Sequence, residues 1–457
     1  MGSGIIYLDA LQNYANQYIP SYITLDNTVE NHITDEVATL GRVLFYDKQL
    51  SLDNGTSCAS CHQQDVAFGD RDQVSLGSFG ITGRHSMRLV NARFSAEQHF
   101  FWDERAATLE EQTTMPIQDP VEMGYSGQFG DPDFDGLITK LNDIDYYDIL
   151  FEFAFGDSEI TEERIQLALG QFVRSIQSFD TRYDEGRLMV DNDTMPFPNF
   201  TAEENLGKKL FIESIQFGDE GNRIGGGLAC ANCHVPPEFS INPNSRTNGV
   251  FLAANGVEFD EGISRSPTLR DVFNPQGELN GPLMHNGLFT DMRQVLEHYN
   301  DIQESTGMEN PFVDTRLKNG QFIQKLNMTD EEFDGVIAFF KTLTGTDLYT
   351  NEKWSDPFGP AGELQVLDNS TSTNDIAELN ISISPNPASG QIKIENLENV
   401  FQIDILSSDG QALLSRTKTD NATQIIEDIS GLNAGIYFVV ARNKSGNEWR
   451  AQKLIKI

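Results

Sequence analysis

The sequence predicts a mainly α-helical region of two modules with a similar plan, followed by a small all-β sandwich. Three observations predict it. The pattern C-x-x-C-H occurs twice, as Cys58-Ala-Ser-Cys61-His62 and Cys230-Ala-Asn-Cys233-His234. The residues around each copy carry apolar positions at helical spacing behind N-terminal capping signals. Beyond about residue 380 the apolar period falls to two, the period of strands. The expected organisation is a first module over 5–185, a second over 186–358, a linker over 359–379 and the sandwich over 380–457.

C-x-x-C-H is the attachment signature of c-type haem. Each thiol can add across one haem vinyl group, and the adjoining histidine is placed to bind the iron. The competing readings are a zinc site built from thiolates and imidazole and a redox-active dithiol. Against both, the chain has four cysteines in all, both pairs carry the immediate histidine and no cysteine is left over. The two helical modules are therefore read as c-type cytochrome-like haem domains. Cys58, Cys61 and His62 would hold one covalent haem c, and Cys230, Cys233 and His234 the other.

Along the chain, Val37, Leu40, Val43 and Leu44 have helical spacing and lead to an Asn54-Gly55 turn before the first motif. Thr161 reads as the N-cap of a helix whose positions Ile165, Leu169, Phe172, Ile176 and Phe179 step by four and three onto one buried face. Thr201-Ala-Glu-Glu204 and Thr329-Asp-Glu-Glu332 are capping boxes. The first precedes Leu206, Leu210 and Phe211, and the second precedes Phe333, Val336, Ile337, Phe340 and Leu343. The run Gly225-Gly226-Gly227 before the second motif suggests close packing of backbone against porphyrin. Asp131 to Asn142 begins like a calcium loop but has Asn142 where a bidentate glutamate is required, so it is read as coincidence. Gly359-Pro360 and the Ser/Thr/Asn run 369–374 form the linker. Strands follow around Ile381, Ile392, Phe401, Gly435 and Lys453, with turns at Asp409-Gly410 and Asn443–Gly446.

Hydrophobic content of 39% is enough for real cores, and the formal charge of −37 is extreme. From Asp375 onward eight basic and ten acidic residues nearly cancel, so −35 of that charge lies in the part with the haem motifs. Such a surface excludes nucleic acid and anionic membranes as natural partners, and suits a cationic protein partner or a solvated role. No run of about 18 apolar residues marks a transmembrane helix. Met1-Gly-Ser-Gly is not followed by a signal peptide. Because covalent haem attachment takes place outside the cytoplasm, a signal peptide is expected to have preceded this sequence, and the location to be periplasmic, cell-surface or secreted.

The flanking residues resemble the bacterial dihaem cytochrome c peroxidase family over roughly residues 40–358. The resemblance rests on Leu40-Gly-Arg-Val-Leu-Phe-Tyr-Asp47, Phe101-Trp102-Asp-Glu-Arg-Ala106, Leu109-Glu-Glu-Gln112, Pro116-Ile117 and Val121-Glu122-Met-Gly124. It continues in Arg265-Ser-Pro-Thr-Leu-Arg270, Met284-His-Asn-Gly287 and Leu296-Glu-His-Tyr-Asn300. The tail, with Ser384-Pro-Asn-Pro387 and Gly435-Ile-Tyr-Phe438, resembles the C-terminal sorting domain of the type IX secretion system. That implies handling by the secretion machinery and export; an adhesive β-module is the alternative.

The family resemblance implies roles for particular residues. His62 would be the proximal ligand of a peroxidatic haem whose pocket contains Glu122, Gln112 and Pro116. A carboxylate there can carry a proton between peroxide oxygens, and an amide can hold peroxide by hydrogen bonds. His234 would serve an electron-transfer haem. Its other axial ligand, commonly Met in these peroxidases, corresponds here to Tyr299, as in the related enzyme that matures methylamine dehydrogenase. His298, Met284, Met292 and Met308 are near in sequence. Trp102 corresponds to the tryptophan between the haems. Two departures stand out. Gly77 occupies the place of a histidine that ligates the first iron until the enzyme is reduced, so that haem is expected to be open without activation. The family's calcium would be held by backbone carbonyls of Asn280 and Pro282, but His85 stands where an asparagine side chain completes the site, and imidazole is a poor calcium ligand.

The expected function is reduction of hydrogen peroxide to water with electrons from a small redox protein, a cytochrome c or cupredoxin. The alternatives are a peroxide-dependent oxidase of a protein or organic substrate, favoured by Tyr299 and the missing histidine, and a dihaem electron carrier without turnover.

Overall fold

The computed structural model describes the chain outside residues 1, 97–98, 242–244, 261–264, 303–312, 368–380, 398–399, 408–411, 419–421 and 443–448. The Ser/Thr/Asn run, both predicted sandwich turns and Met308 lie outside the described residues. The chain divides into two units, Met1–Asn369 and Ser370–Ile457.

The first unit contains two hydrophobic cores. In the first, the helices Asp35–Tyr46 and Glu162–Ser175 cross. Thr34 and Thr161 accept from the backbone amides of Val37 and Arg164, satisfying donors that a helix start leaves open. Val37, Leu40, Val43, Leu44, Ile165, Leu169, Phe172 and Ile176 are all buried. Ile176 is already the C-cap, and Phe179 lies beyond the helix, stacked edge-on against Phe94. The crossing is close because Gly41 has no side chain: a Cβ there would lie 2.0 Å from the Ala168 carbonyl oxygen. Leu348, Trp354 and Phe358, far along the chain, complete this core, and Trp354 donates its indole N–H to the Ser175 carbonyl at 3.0 Å.

The second core repeats the device. Capping boxes at Thr201 and Thr329 open the helices Ala202–Ile212 and Asp330–Lys341. Gly207 lets them touch, since a Cβ there would lie 1.8 Å from the Gly335 carbonyl oxygen. The two crossing glycines sit in matching sequence, Leu40-Gly-Arg-Val-Leu-Phe45 and Leu206-Gly-Lys-Lys-Leu-Phe211. The plan is thus repeated in sequence as well as in architecture. Asp133 of the calcium-like stretch caps the helix Phe134–Leu141, accepting from the Gly136 amide, which accounts for that acidic cluster.

The second unit is two antiparallel sheets around one core. One has strands Gln424–Asp428, Gln391–Glu395 and Ser382–Ser384 in that order; the other has Ala412–Thr417, Gln402–Ser407, Gly435–Arg442 and Trp449–Lys456. Ile392 and Ile394 of the first face Ile403, Ile405, Val439 and Leu454 of the second within a single buried cluster.

Candidate functional site

Each C-x-x-C-H motif opens onto its own cavity, one lined by Cys58, Cys61 and His62 and the other by Cys230, Cys233 and His234. The motifs form single helical turns, Cys58–Cys61 and Cys230–Asn232. Burial pushes the Cys58 thiol up to about 12, Cys61 to about 11 and Cys230 to about 12. Redox-active dithiols are instead held low by neighbouring positive charge; of the four thiols Cys233 has such a neighbour, Arg316 at 3.8 Å, and burial raises it nonetheless.

The histidines are served alike. His62 Nδ1 is 3.0 Å from the Phe68 carbonyl oxygen and His234 Nδ1 is 3.0 Å from that of Pro267. A carbonyl only accepts, so each Nδ1 carries the hydrogen and each Nε2 keeps its lone pair for a metal. Burial lowers both pKa values, His234 to about 4. A second carbonyl faces each ring, from Met87 and Phe239 respectively, and Phe68 and Phe239 share left-handed backbone at φ 56° and 54°. The segments supplying one carbonyl each, Ser86-Met-Arg-Leu89 and Ser266-Pro-Thr-Leu269, match at both ends. This second repeat was readable in the sequence and was missed there, because its members are few and unequal. Residues and cavities fit two covalently attached haems.

In the first cavity the wall includes Gln112, Pro116 and Glu122, together with Arg105 and Asp119. Gln112 lies on the short helix Leu109–Thr114, started by Thr108. Glu122 lies on a loop whose amide donates to Asp119 Oδ1 at 3.0 Å. Burial, then the Asp119 charge, pushes the Glu122 carboxyl up to about 7, with Arg105 opposing. Gly77 is packed against this loop: a Cβ would lie 2.5 Å from the Val121 oxygen and 2.7 Å from the Glu122 Cα. The Ser78 and Phe79 amides donate to the Glu122 and Val121 carbonyls at 2.8 and 3.0 Å. The position expected to have lost its histidine therefore has no room for a side chain.

The second cavity is finished differently. Tyr299, at the end of the helix Met292–Asn300, and Met284 both line it. One side chain serves both, since Asn248 Nδ2 lies 2.9 Å from Tyr299 Oη and 3.3 Å from Met284 Sδ. Asn248, which carries no motif, was not foreseen. Met292 also lines the cavity. His298 does not line it, and its Nε2 donates to the Asn248 carbonyl at 3.0 Å. The glycine run expected against porphyrin packs instead on protein backbone. A Cβ on Gly227 would meet the Glu213 oxygen at 2.3 Å, and one on Gly226 the Ser214 oxygen at 2.4 Å.

Trp102 lines both cavities and donates its indole N–H to the His85 carbonyl at 2.7 Å. His85 points Nδ1 at the carbonyls of Asp72 and Gln73, at 3.1 and 3.2 Å, and its own amide donates to the His285 carbonyl. It therefore offers an N–H where a hard cation needs oxygen. Pro282 lines the second cavity. Asn280 lines neither; its side-chain amide donates to the Asp271 carbonyl and Tyr349 Oη, both at 2.8 Å. The His85 side chain does not fit calcium.

Residues 35–192, which include the first motif, match the model of the di-haem cytochrome c peroxidase family, and residues 382–456 match that of the secretion system C-terminal sorting domain. The chain is 27% identical over 327 residues to the methylamine utilization protein MauG of Methylophilus methylotrophus, covering 69% of this chain and 85% of that protein. It is 28% identical over 323 residues to cytochrome c551 peroxidase of Pseudomonas aeruginosa, covering 68% and 80%. A solved MauG-like protein associated with microbial copper homeostasis superposes with a TM-score of 0.58 at 27% identity, covering 75% of this chain and 99% of that one. The repeated motifs, the paired cavities and these matches agree: the chain carries a di-haem cytochrome c peroxidase family region over residues 35–192 and a secretion system C-terminal sorting domain over residues 382–456.

Proposed function

We propose that the protein is an exported dihaem peroxidase, reducing hydrogen peroxide to water with two electrons from a small redox protein. The observation that carries this reading is the His62 cavity, where Glu122 and Gln112 share the wall with the haem-attachment residues. Among the described residues neither of these two side chains has a hydrogen-bond partner. When bound, the haems supply iron for peroxide activation at His62 and for electron storage at His234. The chain's part is to position and to move protons. His62 Nε2 and His234 Nε2 are kept as lone pairs by the carbonyls at Nδ1. The Gln112 amide can hold peroxide by hydrogen bonds. The Glu122 carboxylate takes the proton from one peroxide oxygen and returns it to the other, so that water can leave. Trp102, in the wall of both cavities, offers its π-system as the relay between them. The acidic surface steers a cationic cytochrome c or cupredoxin. The tail supports export, and among the described residues no helix is long and apolar enough to cross a membrane.

A second reading is an oxidase that uses peroxide on a protein or organic substrate. Tyr299 favours it: an oxygen ligand lowers the potential of the second haem, and the Asn248 N–H donated to Oη stabilises the ionised form. Purified holoprotein mixed with peroxide tests the first reading. Glu122→Gln should consume peroxide far more slowly with a reduced cytochrome as donor; an unchanged rate removes Glu122 from the mechanism.

A further inference from the structure

Like Arg265, Arg88 lines both cavities. It stands in the repeat Ser86-Met-Arg-Leu89 at the position where the second copy has Thr268. Its Nη2 donates across to the Thr268 carbonyl at 3.0 Å, so the two copies of the repeat meet at this residue. The chain makes room for it, since a Cβ on Gly69 would lie 2.9 Å from Arg88 Cγ.

Three other cations in these walls have carboxylates. Arg84 pairs with Asp260 at 2.6 Å and Asp103 at 2.7 Å, Arg105 with Asp103 at 2.8 Å, and Arg316 with Asp314 at 3.7 Å. Arg88 is in no ion pair among the described residues, and its buried Nε has no partner. Asp271, whose charge acts on it, forms no ion pair with it; its Oδ1 accepts from the Gly345 amide and Tyr349 Oη, and its buried Oδ2 has no partner. A guanidinium cannot shed its proton, and leaving it buried without an anion is costly. A directly paired anion would therefore come from what fills the cavities, and a haem carries two propionate carboxylates.

We propose that Arg88 is a shared counter-ion, its guanidinium pairing with a propionate of the haem in each cavity and raising both reduction potentials together. A planar fork with several N–H donors suits two carboxylates approaching from different sides. The positive charge disfavours oxidised iron in both haems, so a change at this one residue reads out at both. The inference rests on the two-haem part of the reading above and not on the identity of the substrate.

The test is spectroelectrochemical titration of the holoprotein, after haem content has been measured. Wild type should contain two c-type haems per chain; fewer would sink both the reading and this inference. In Arg88→Gln both midpoint potentials should fall, each by about tenfold in the reduced-to-oxidised ratio, or 59 mV for a one-electron couple. Arg88→Lys, which keeps the charge, should return both most of the way. A Gln variant that shifts neither haem, or only one, overturns the proposal while leaving the peroxidase reading intact. Should the Gln variant fail to take up haem, resonance Raman of Arg88→Lys decides. The propionate bending bands of both haems should move, and bands identical to wild type would overturn the proposal.

Discussion

The cavity at His62 and the cavity at His234 begin from the same parts and end with opposite surfaces. Each has a buried attachment turn, a histidine fixed through Nδ1 by a carbonyl, and a left-handed phenylalanine beyond it. Around His62 the chain adds an amide and a carboxyl, Gln112 and Glu122, with no protein partner among the described residues, and a glycine packed against the loop of Glu122. Around His234 it adds a phenol and a thioether already held by one asparagine. The two cavities share their attachment turn and histidine, and on the proposed reading differences at a handful of wall positions make one of them the reaction site.

The largest effect should come from removing the acid that distinguishes the first cavity. Glu122→Gln keeps the shape and loses the proton carrier, so peroxide consumption should drop by roughly 10²–10⁴-fold. In wild type the rate should rise through about pH 7 as the raised carboxyl ionises, and this limb should be missing in the variant. Stopped-flow rates between pH 5 and 9 check both points. A pH profile that survives the substitution would assign the limb to another group.

Next is the glycine packed against the Glu122 loop. Gly77→Ala places a methyl group inside contact distance of the Val121 oxygen and the Glu122 Cα. The loop must shift, at a cost of about 1–3 kcal/mol in urea unfolding, and Glu122 must move with it. The same substitution at Gly83, where a Cβ would meet nothing within 4 Å, should be nearly silent. Equal costs at the two sites would mean that the packing seen at Gly77 is not maintained in solution.

Glu122 also makes stability depend on pH in a sense that can be worked out. Its carboxyl is near 4.5 in the unfolded chain and about 7 in the folded one. The folded state therefore holds the extra proton between these values, and its stability falls as pH rises from about 4.5 to 7. At pH 8 wild type carries the full penalty of a buried charge, which Gln avoids. The variant should be more stable there by roughly 1–3 kcal/mol, after allowance for the part that solvent reaches. At pH 4 the two should coincide. Urea titrations of the holoprotein at both pH values measure the difference, and a variant that gains as much at pH 4 would show that shape and not charge is responsible.

Much of this was legible beforehand, for reasons that differ by residue. The capping boxes at Thr201 and Thr329 and the N-cap at Thr161 declare themselves because the partners are three residues apart. The C-x-x-C-H motifs do so because attachment and ligation need adjacent residues. The crossing glycines Gly41 and Gly207 were visible as Leu-Gly-x-x-Leu-Phe but say nothing alone, since a close helix contact depends on a partner more than a hundred residues away. Gly225–Gly227 misled for the same reason. Glycine reports that something is near, without reporting whether it is porphyrin or, as here, the backbone of residues 213–216. Asn248 and Arg88 were invisible because their importance lies in where three distant segments meet.

The smallest effect should separate the two side chains that Asn248 serves. Its NH2 group has one hydrogen for Tyr299 Oη and one for Met284 Sδ, and the phenol oxygen is much the better acceptor. Tyr299→Phe should therefore cost about 1 kcal/mol through the lost hydrogen bond, whereas Met284→Leu, close in volume, should cost less. Ligation adds a second readout that stability cannot mimic. If the phenol oxygen is the axial donor, Tyr299→Phe alters the visible absorption of one haem, and Met284→Leu leaves it unchanged. The reverse pattern would make the thioether the ligand and the tyrosine its neighbour, and the second cavity would then resemble that of an ordinary electron-storing haem. Asn248→Ala should weaken whichever partner is used without replacing it, so its spectrum should move in the same direction as the ligand variant by a smaller amount.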